Sequence, residues 1–478
     1  MTERRAFAPR PYQDIIIDHI LNTPRCAVWA GMGMGKTVST LTAVDALELV
    51  EPGPTLVTAP LRVAQSTWPD EVVKWQHLRN VEVTPIVGTA AARKKALARA
   101  FSFSASTFTI NYENIPWLVE TLADLRKPWP FAKIVPDEAT RVKSFRTRQG
   151  GKRAAALGRV AHLPQVRHFI ELTGTPSPNG LKDLWGQIWF LDRGQRLGRS
   201  FEAFKSRWFQ TIQVGADPHA VDLMPLPFAQ QEIESLLRDI CISLDPADWF
   251  DLHEPISVPV YIDLPDRARD LYRDMEREMF MQIDGHDVEA FNAAARTIKC
   301  LQLANGAAYT TDEGGENRPW AEVHTLKTQA LESIVEETGG APLLVAYHFK
   351  SDLARLLKAF PRGRHLDADP QTLRDFKAGR IPLLFAHPDS AGHGLDGMQD
   401  VCNAVVFFGH WWNLESRQQI IERVGAVRQA QAGHDRPTYI YDIIARSTVD
   451  ELVIARHKTK RGVQDLLLEA MKKGTCNG

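Results

Sequence analysis

The stretch Ala30 to Thr37 reads Ala-Gly-Met-Gly-Met-Gly-Lys-Thr, and it restricts the possible folds of this chain more than any other. It follows the apolar run Arg25 to Ala30 and precedes a helical pattern, Val38 to Leu49. A short strand, a glycine-rich turn and a helix opening on Lys-Thr make a phosphate cradle, because unhindered backbone N–H groups and the helix N-terminus both face the anion. Gly31, Gly33 and Gly35 let the backbone approach, Lys36 sits on the β- and γ-phosphates, and the Thr37 hydroxyl is offered to Mg²⁺. Ala30 stands where a first glycine is usual, and a strand end needs no positive φ. Upstream, Tyr12 and Gln13 lie in Arg10-Pro-Tyr-Gln13 ahead of a helix-like Asp14 to Leu21. An amide that both donates and accepts suits the edges of adenine; Tyr12 reads equally as a packed helix-start aromatic. The expected cofactors are ATP and Mg²⁺.

A chain of 478 residues is too long for one core, so two or three domains are expected. No apolar run reaches the length of a bilayer span and the N-terminus lacks a signal-peptide core, which makes a cytoplasmic protein the expectation. Five cysteines (Cys26, Cys241, Cys300, Cys402, Cys476) are scattered without Cys-x-x-Cys spacing, which indicates neither a zinc site nor a disulfide framework. The formal net charge is −1, so contact with nucleic acid has to come from a local basic track.

From Thr55 short β-rich runs alternate with helical ones. Thr55 to Ala59, Val81 to Val87, Phe108 to Ile110, Lys133 to Val135 and His168 to Leu172 read as strands; helical segments surround Ser66 to Trp75, Ala90 to Ala100 and Pro116 to Leu125. Alternation of this kind means a parallel sheet covered on both faces, an α/β fold with its ligands beyond the carboxyl ends of the strands. Asp137 and Glu138 stand at such a strand end. An Asp there can hold Mg²⁺ and a neighbouring Glu can polarise an attacking water. Leu172-Thr-Gly-Thr175-Pro is a second strand end, whose hydroxyls can bond those carboxylates. The alternation fails between Gly194 and about His324 and returns beyond Leu326, in a second lobe that has no phosphate loop of its own.

Arg-Pro-Tyr-Gln, the glycine loop, TAPLRVAQSTWPDEVVKW, DEATRVKS and LTGTPSPNGLKDLW resemble, in order, the motifs of superfamily 2 helicase-like ATPases, and specifically of the Swi/Snf-type branch. The resemblance implies two RecA-like parallel-sheet lobes in tandem with helical protrusions between them. The implied boundaries are residues 1–195 for the ATP-binding lobe, 196–324 for a protrusion and linker region including a return to the first lobe, and 325–478 for the second lobe. A separate substrate domain is the competing reading of the middle region. The resemblance further implies Lys36, Glu138, Arg423 and Arg428 as catalytic, and Thr37 and Asp137 as metal-holding. A guanidinium suits the charge spread over a γ-phosphoryl group. Three departures stand out: Thr140 where the acidic motif ends in His, Ala426 where a second arginine is usual, and Asp396 for Asn in Ser390 to Asp396.

Six basic residues fall between Arg141 and Arg153, and they read as a phosphate-gripping loop or as a solvated charge run. By resemblance Arg62, Lys74, Asn111 and Tyr112 lie where one nucleic-acid strand is contacted; with Lys143, Arg146 and Arg148 they form the expected interface with double-stranded DNA. Trp68 and Trp75 read as packing residues. The expected activity is a DNA-dependent ATPase and translocase; a strand-separating or fork-remodelling helicase and a nucleotide-gated DNA clamp are the alternatives.

Overall fold

The computed structural model describes residues 4–102, 107–148, 150–213, 221–281, 290–309, 319–367, 369–388 and 397–470. The chain divides into two compact units: Met1–Ile212, Asp222–Trp249 and Gly462–Gly478 form the first, and Gln213–Val221 and Phe250–Arg461 the second.

The first unit is built on strands β1 (Arg25–Ala30), β2 (Thr55–Ala59), β3 (Val83–Pro85), β4 (Thr107–Asn111), β5 (Lys133–Pro136) and β6 (His168–Thr173). A ribbon of β7 (Phe209–Gln213) and β8 (Val221–Pro225) follows, and then β9 (Cys241–Leu244). The sheet runs β3-β4-β2-β5-β6-β1-β9, with parallel pairing throughout. Helices cover both faces, so the strands do not alternate between apolar and polar: every residue of β2, β4, β5 and β6 is buried. Lys133 survives in β5 because its ammonium donates to Glu48 Oε2 and to the carbonyls of Glu51 and Gly53, each at 2.9 Å. Parallel pairing also brings the strand ends to one edge. Trp29 lies opposite Thr173, Thr58 opposite Pro136, and Asp137 bridges to Leu172.

The middle region is divided differently from the expected boundaries. The aromatic-rich helix Phe201–Trp208 belongs to the core of the first unit, where Phe204 and Trp208 are buried with Trp185 and Phe190. β9, which the sequence reading did not anticipate, pairs with β1. Its four residues run on from a helical pattern with little more than a turn between, so no change of period marks it. The second unit takes up the chain at Phe250 and keeps it to Arg461, so it begins well before residue 325.

The second unit contains β10 (Ile256–Ile262), an antiparallel pair β11 (Ala307–Tyr309) and β12 (Trp320–Glu322), then β13 (Leu343–Ala346), β14 (Arg364–His365), β15 (Leu383–Ala386), β16 (Ala404–Phe407) and β17 (Tyr439–Ala445). Its main sheet runs β10-β17-β16-β13-β15-β14, again parallel. Alternate residues go to opposite faces. Leu343, Val345, Phe385 and Val406 fill one apolar layer, and Leu344, Leu384, Val405 and Phe407 the other. In β10, one of the two outermost strands, the Ile256 N–H bonds to Thr438, so Ser257, Pro259 and Tyr261 turn their backbones away from β17.

Four helices of this unit meet around buried charge. Lys327, fully buried on Leu326–Glu337, donates to Asp450 Oδ2 at 2.7 Å and to Asn305 Oδ1 at 2.8 Å. Asn305 ends Ala290–Asn305 and donates to Asp352 Oδ2 at 2.9 Å; Arg355 reaches the other oxygen of Asp352 at 3.3 Å. Burial pushes the Asp450 carboxyl up, but Lys327 and His410 outweigh it and hold the group below its ordinary range.

Two buried histidines of the second unit respond to acid. Burial, then the cations Lys327 and Arg355, bring His324 from 6.5 to about 4; burial and Arg417 bring His457 to about 4 as well. The unfolded chain takes up these protons below about 6.5 and the folded chain only near 4. Stability present above that window is therefore lost as pH falls through it, by at most ~1.4 kcal/mol per pH unit for each ring. The melting temperature should drop across this range, and His324→Gln should flatten the drop; an unchanged slope would exonerate His324. Among the described residues no helix is long and apolar enough to cross a membrane.

Candidate active site

Helix α1 (Pro11–Asn22) packs beside α2 (Lys36–Val50), which the glycine turn joins to β1. The turn needs its glycines. Gly33 and Gly35 hold φ of +83° and +69°, and a Cβ on Gly35 would come within 2.2 Å of Gln13 Nε2. Gln13 is thus brought to the loop, and its Oε1 accepts from the Arg10 N–H at 2.9 Å. Tyr12 is buried, edge-on to Trp249 at 5.7 Å. A Cβ on Gly31 would meet Pro246 at 2.9 Å, so the residues after β9 also line the turn. The Lys36 ammonium donates to the carbonyls of Ala30 and Gly31, at the loop mouth, and Thr37 follows half-buried in the first turn of α2.

The two acids stand at the end of β5. The Asp137 N–H bonds to Thr58 O at 2.8 Å and the Glu138 N–H to Leu172 O at 2.9 Å. Glu138 is held at φ +71°, a left-handed backbone that costs a residue with a Cβ about 1–2 kcal/mol. The surroundings impose it: the Glu138 carbonyl accepts from the Tyr112 hydroxyl at 3.2 Å and from the Arg141 N–H at 2.9 Å. Its carboxylate accepts from the Thr173 hydroxyl at 2.9 Å and, more loosely, from Thr140 at 3.5 Å. Gly174, next along, lies close enough that a Cβ there would meet Ala30 O at 3.3 Å. The Asp137 carboxyl is raised by burial, against which the Trp68 indole N–H and the charge of Lys36 pull it down.

Lys36, Asp137, Glu138 and Thr173 therefore converge on one sheet edge, beside a turn whose glycines fill the cradle. A positive-φ glycine turn at a helix N-terminus, an ammonium, a threonine hydroxyl and a carboxylate make a donor set that fits a nucleoside triphosphate with a divalent cation.

The expected nucleic-acid residues divide. Tyr112 is buried with its hydroxyl on the carbonyls of Asp137 and Glu138, and Asn111 is buried between Glu113 and Asn114, so both side chains serve the fold where a backbone contact was expected. Arg146 stacks over Phe201 at 3.5 Å and donates to the carbonyls of Lys143 and Phe145; Lys143 pairs with Asp183 at 3.4 Å. Arg148 is exposed and Arg62 half-buried. Trp68, expected only to pack, also donates to Asp137.

In the second unit Arg423 is buried in the turn between helices Leu414–Ile421 and Ala426–Gln431, and Arg428 is half-buried on the latter. Gln429 pins that turn by donating to the carbonyls of Val424 and Cys402, each at 2.9 Å. Arg417, a residue the sequence reading passed over, stacks on Phe407 and donates to Asp442 at 2.8 Å. Ser390 to Asp396 and Cys476 lie outside the described residues.

A family model described as SNF2-related domain matches residues 26–304. The chain belongs to the SNF2-related domain family. It is thus a Swi/Snf-type member of the helicase-like ATPases. It is 57% identical over 471 residues to the protein p41 of Acyrthosiphon pisum secondary endosymbiont phage 1, covering 98% of this chain and 100% of p41. It is also 23% identical to the ISWI chromatin-remodeling complex ATPase ISW2 of Saccharomyces cerevisiae, over 92% of this chain but only 38% of ISW2. A solved structure titled as the Sulfolobus solfataricus SWI2/SNF2 ATPase core in complex with dsDNA aligns with 97% of this chain and 94% of that one, at 19% identity and a TM-score of 0.41.

Proposed function

We infer that this SNF2 chain is a DNA-stimulated ATP hydrolase that uses turnover to move along duplex DNA. The reading rests on one observation: Lys36, Asp137 and Glu138 share a sheet edge with a glycine turn able to take a triphosphate. In this scheme the turn's N–H groups and Lys36 hold the β- and γ-phosphates and Thr37 and Asp137 hold the cation. Mg²⁺, when bound, neutralises charge on the β- and γ-oxygens. Glu138, fixed by Thr173, orients the attacking water and takes its proton. Arg423 and Arg428 are proposed to stabilise charge on the transferred group, and exposed cations such as Arg148 to meet the DNA backbone without reading its sequence.

The test is phosphate release with and without duplex DNA. Stimulation by duplex that Arg423→Ala removes is the expected result. Release unchanged by single strands, duplexes or forks would end the DNA-stimulated reading, and binding to DNA without turnover would make the chain a nucleotide-gated clamp.

A further inference from the structure

The indole of Trp68 lies outside the glycine turn and off both strand ends, yet it reaches the site. Trp68 is 1% exposed and its Nε1–H donates to Asp137 Oδ2 at 2.8 Å. What aims it there is a distortion of the backbone. Val63–Thr67 is a turn of π-helix, and the Trp68 N–H closes it on Val63 O, five residues back. Helix α3 (Trp68–Lys74) begins immediately after. Pro69 accounts for the wide turn, because it has no N–H for the Gln65 carbonyl and its ring would strike that oxygen in an α-helix. The Ala64 carbonyl, loosened from the regular ladder, accepts from the Thr109 hydroxyl of β4. The widened turn is therefore anchored to the sheet, and the indole is presented to the carboxylate from a fixed base. A buried indole N–H normally finds an acceptor, and the one it finds here is the acid at the end of β5.

We propose that Trp68 is a positioning residue: its N–H occupies Oδ2 of Asp137, so that the carboxylate is locked in one rotamer and offers Oδ1 alone to the nucleotide's divalent cation. The proposal rests on reading Asp137 as the metal-holding carboxylate. Outer-shell donors of this kind fix the orientation of a ligating group, and their loss typically costs about 10–100-fold in metal affinity.

The probe is a fluorescent ADP analogue, bound with and without Mg²⁺. Trp68→Phe keeps the ring and removes the donor; Trp68→His keeps a ring N–H. In Trp68→Phe the Mg²⁺ concentration giving half of the metal-dependent binding should rise about tenfold, the scale of one hydrogen bond to a charged group. Metal-free binding should stay as in the unaltered protein, and Trp68→His should recover part of the loss. Wild-type metal dependence in Trp68→Phe would overturn the proposal, and so would equal loss in Phe and His. If both variants melt well below wild type, a benzothiophene in place of the indole decides, since it exchanges N–H for sulfur at nearly the same volume: the same shift supports the role, and none removes it. An unaltered protein that binds the analogue with no response to Mg²⁺ would take down the phosphate-loop reading and this inference together, whereas a normal response matched by Trp68→Phe removes the inference alone.

Discussion

Glu138→Gln is expected to lower ATP hydrolysis by about two to four orders of magnitude, the range for loss of a positioned general base, while nucleotide binding survives. The substitution suits the site. Glutamine keeps the carbonyl oxygen that can accept from the Thr173 hydroxyl, and it inherits a backbone already fixed at φ +71° by Leu172, Tyr112 and Arg141. Only the ability to take a proton disappears. Single-turnover phosphate release beside the affinity for a fluorescent nucleotide separates the two effects. Hydrolysis at the wild-type rate would remove Glu138 as the base, and a parallel collapse of nucleotide affinity would mean that the carboxylate shapes the pocket.

The second large effect concerns stability. Lys327→Met should cost the second unit about 3–5 kcal/mol, because it leaves the Asp450 carboxylate buried beside Asn305 with its cation gone. Both side chains of the pair are 0% exposed, so water cannot replace the lost partner. Removing both charges, in Lys327→Met with Asp450→Leu, should be milder than the single change, since no orphaned ion remains. Urea unfolding of the two variants and the wild type measures the difference. A single variant within about 1 kcal/mol of wild type would show that the ion pair is dispensable.

Much of the first lobe could be read in advance because its signals are local. Glycines before Lys-Thr and acids at the end of an apolar strand announce themselves through backbone freedom and charge, and the hydroxyl-rich strand end at Thr173 follows the same logic. Motif order locates the strand end at Tyr112 without saying which way its side chain points; the hydroxyl turns back onto the carbonyls of the two acids. Trp68 looked like a core residue and is one, but its N–H depends on the π-turn that Pro69 provokes, and no hydrophobic period encodes that. Lys327, Asp352 and Asp450 sit in helices where charge usually marks the solvent face, so their burial together emerges only once four helices meet. β9 followed a helical run too closely for a change of period to mark it.

Pro259 closes a door that the second sheet would otherwise leave open. A seven-residue outer strand normally displays a row of unsatisfied amides on which a stray chain can zip, the first step toward fibrillar or amorphous deposits. The middle of the three outward positions in β10 has no hydrogen to give, so an incoming strand meets a gap where its carbonyl needs a donor. Copies of the chain therefore have less purchase for growing onto one another along that border.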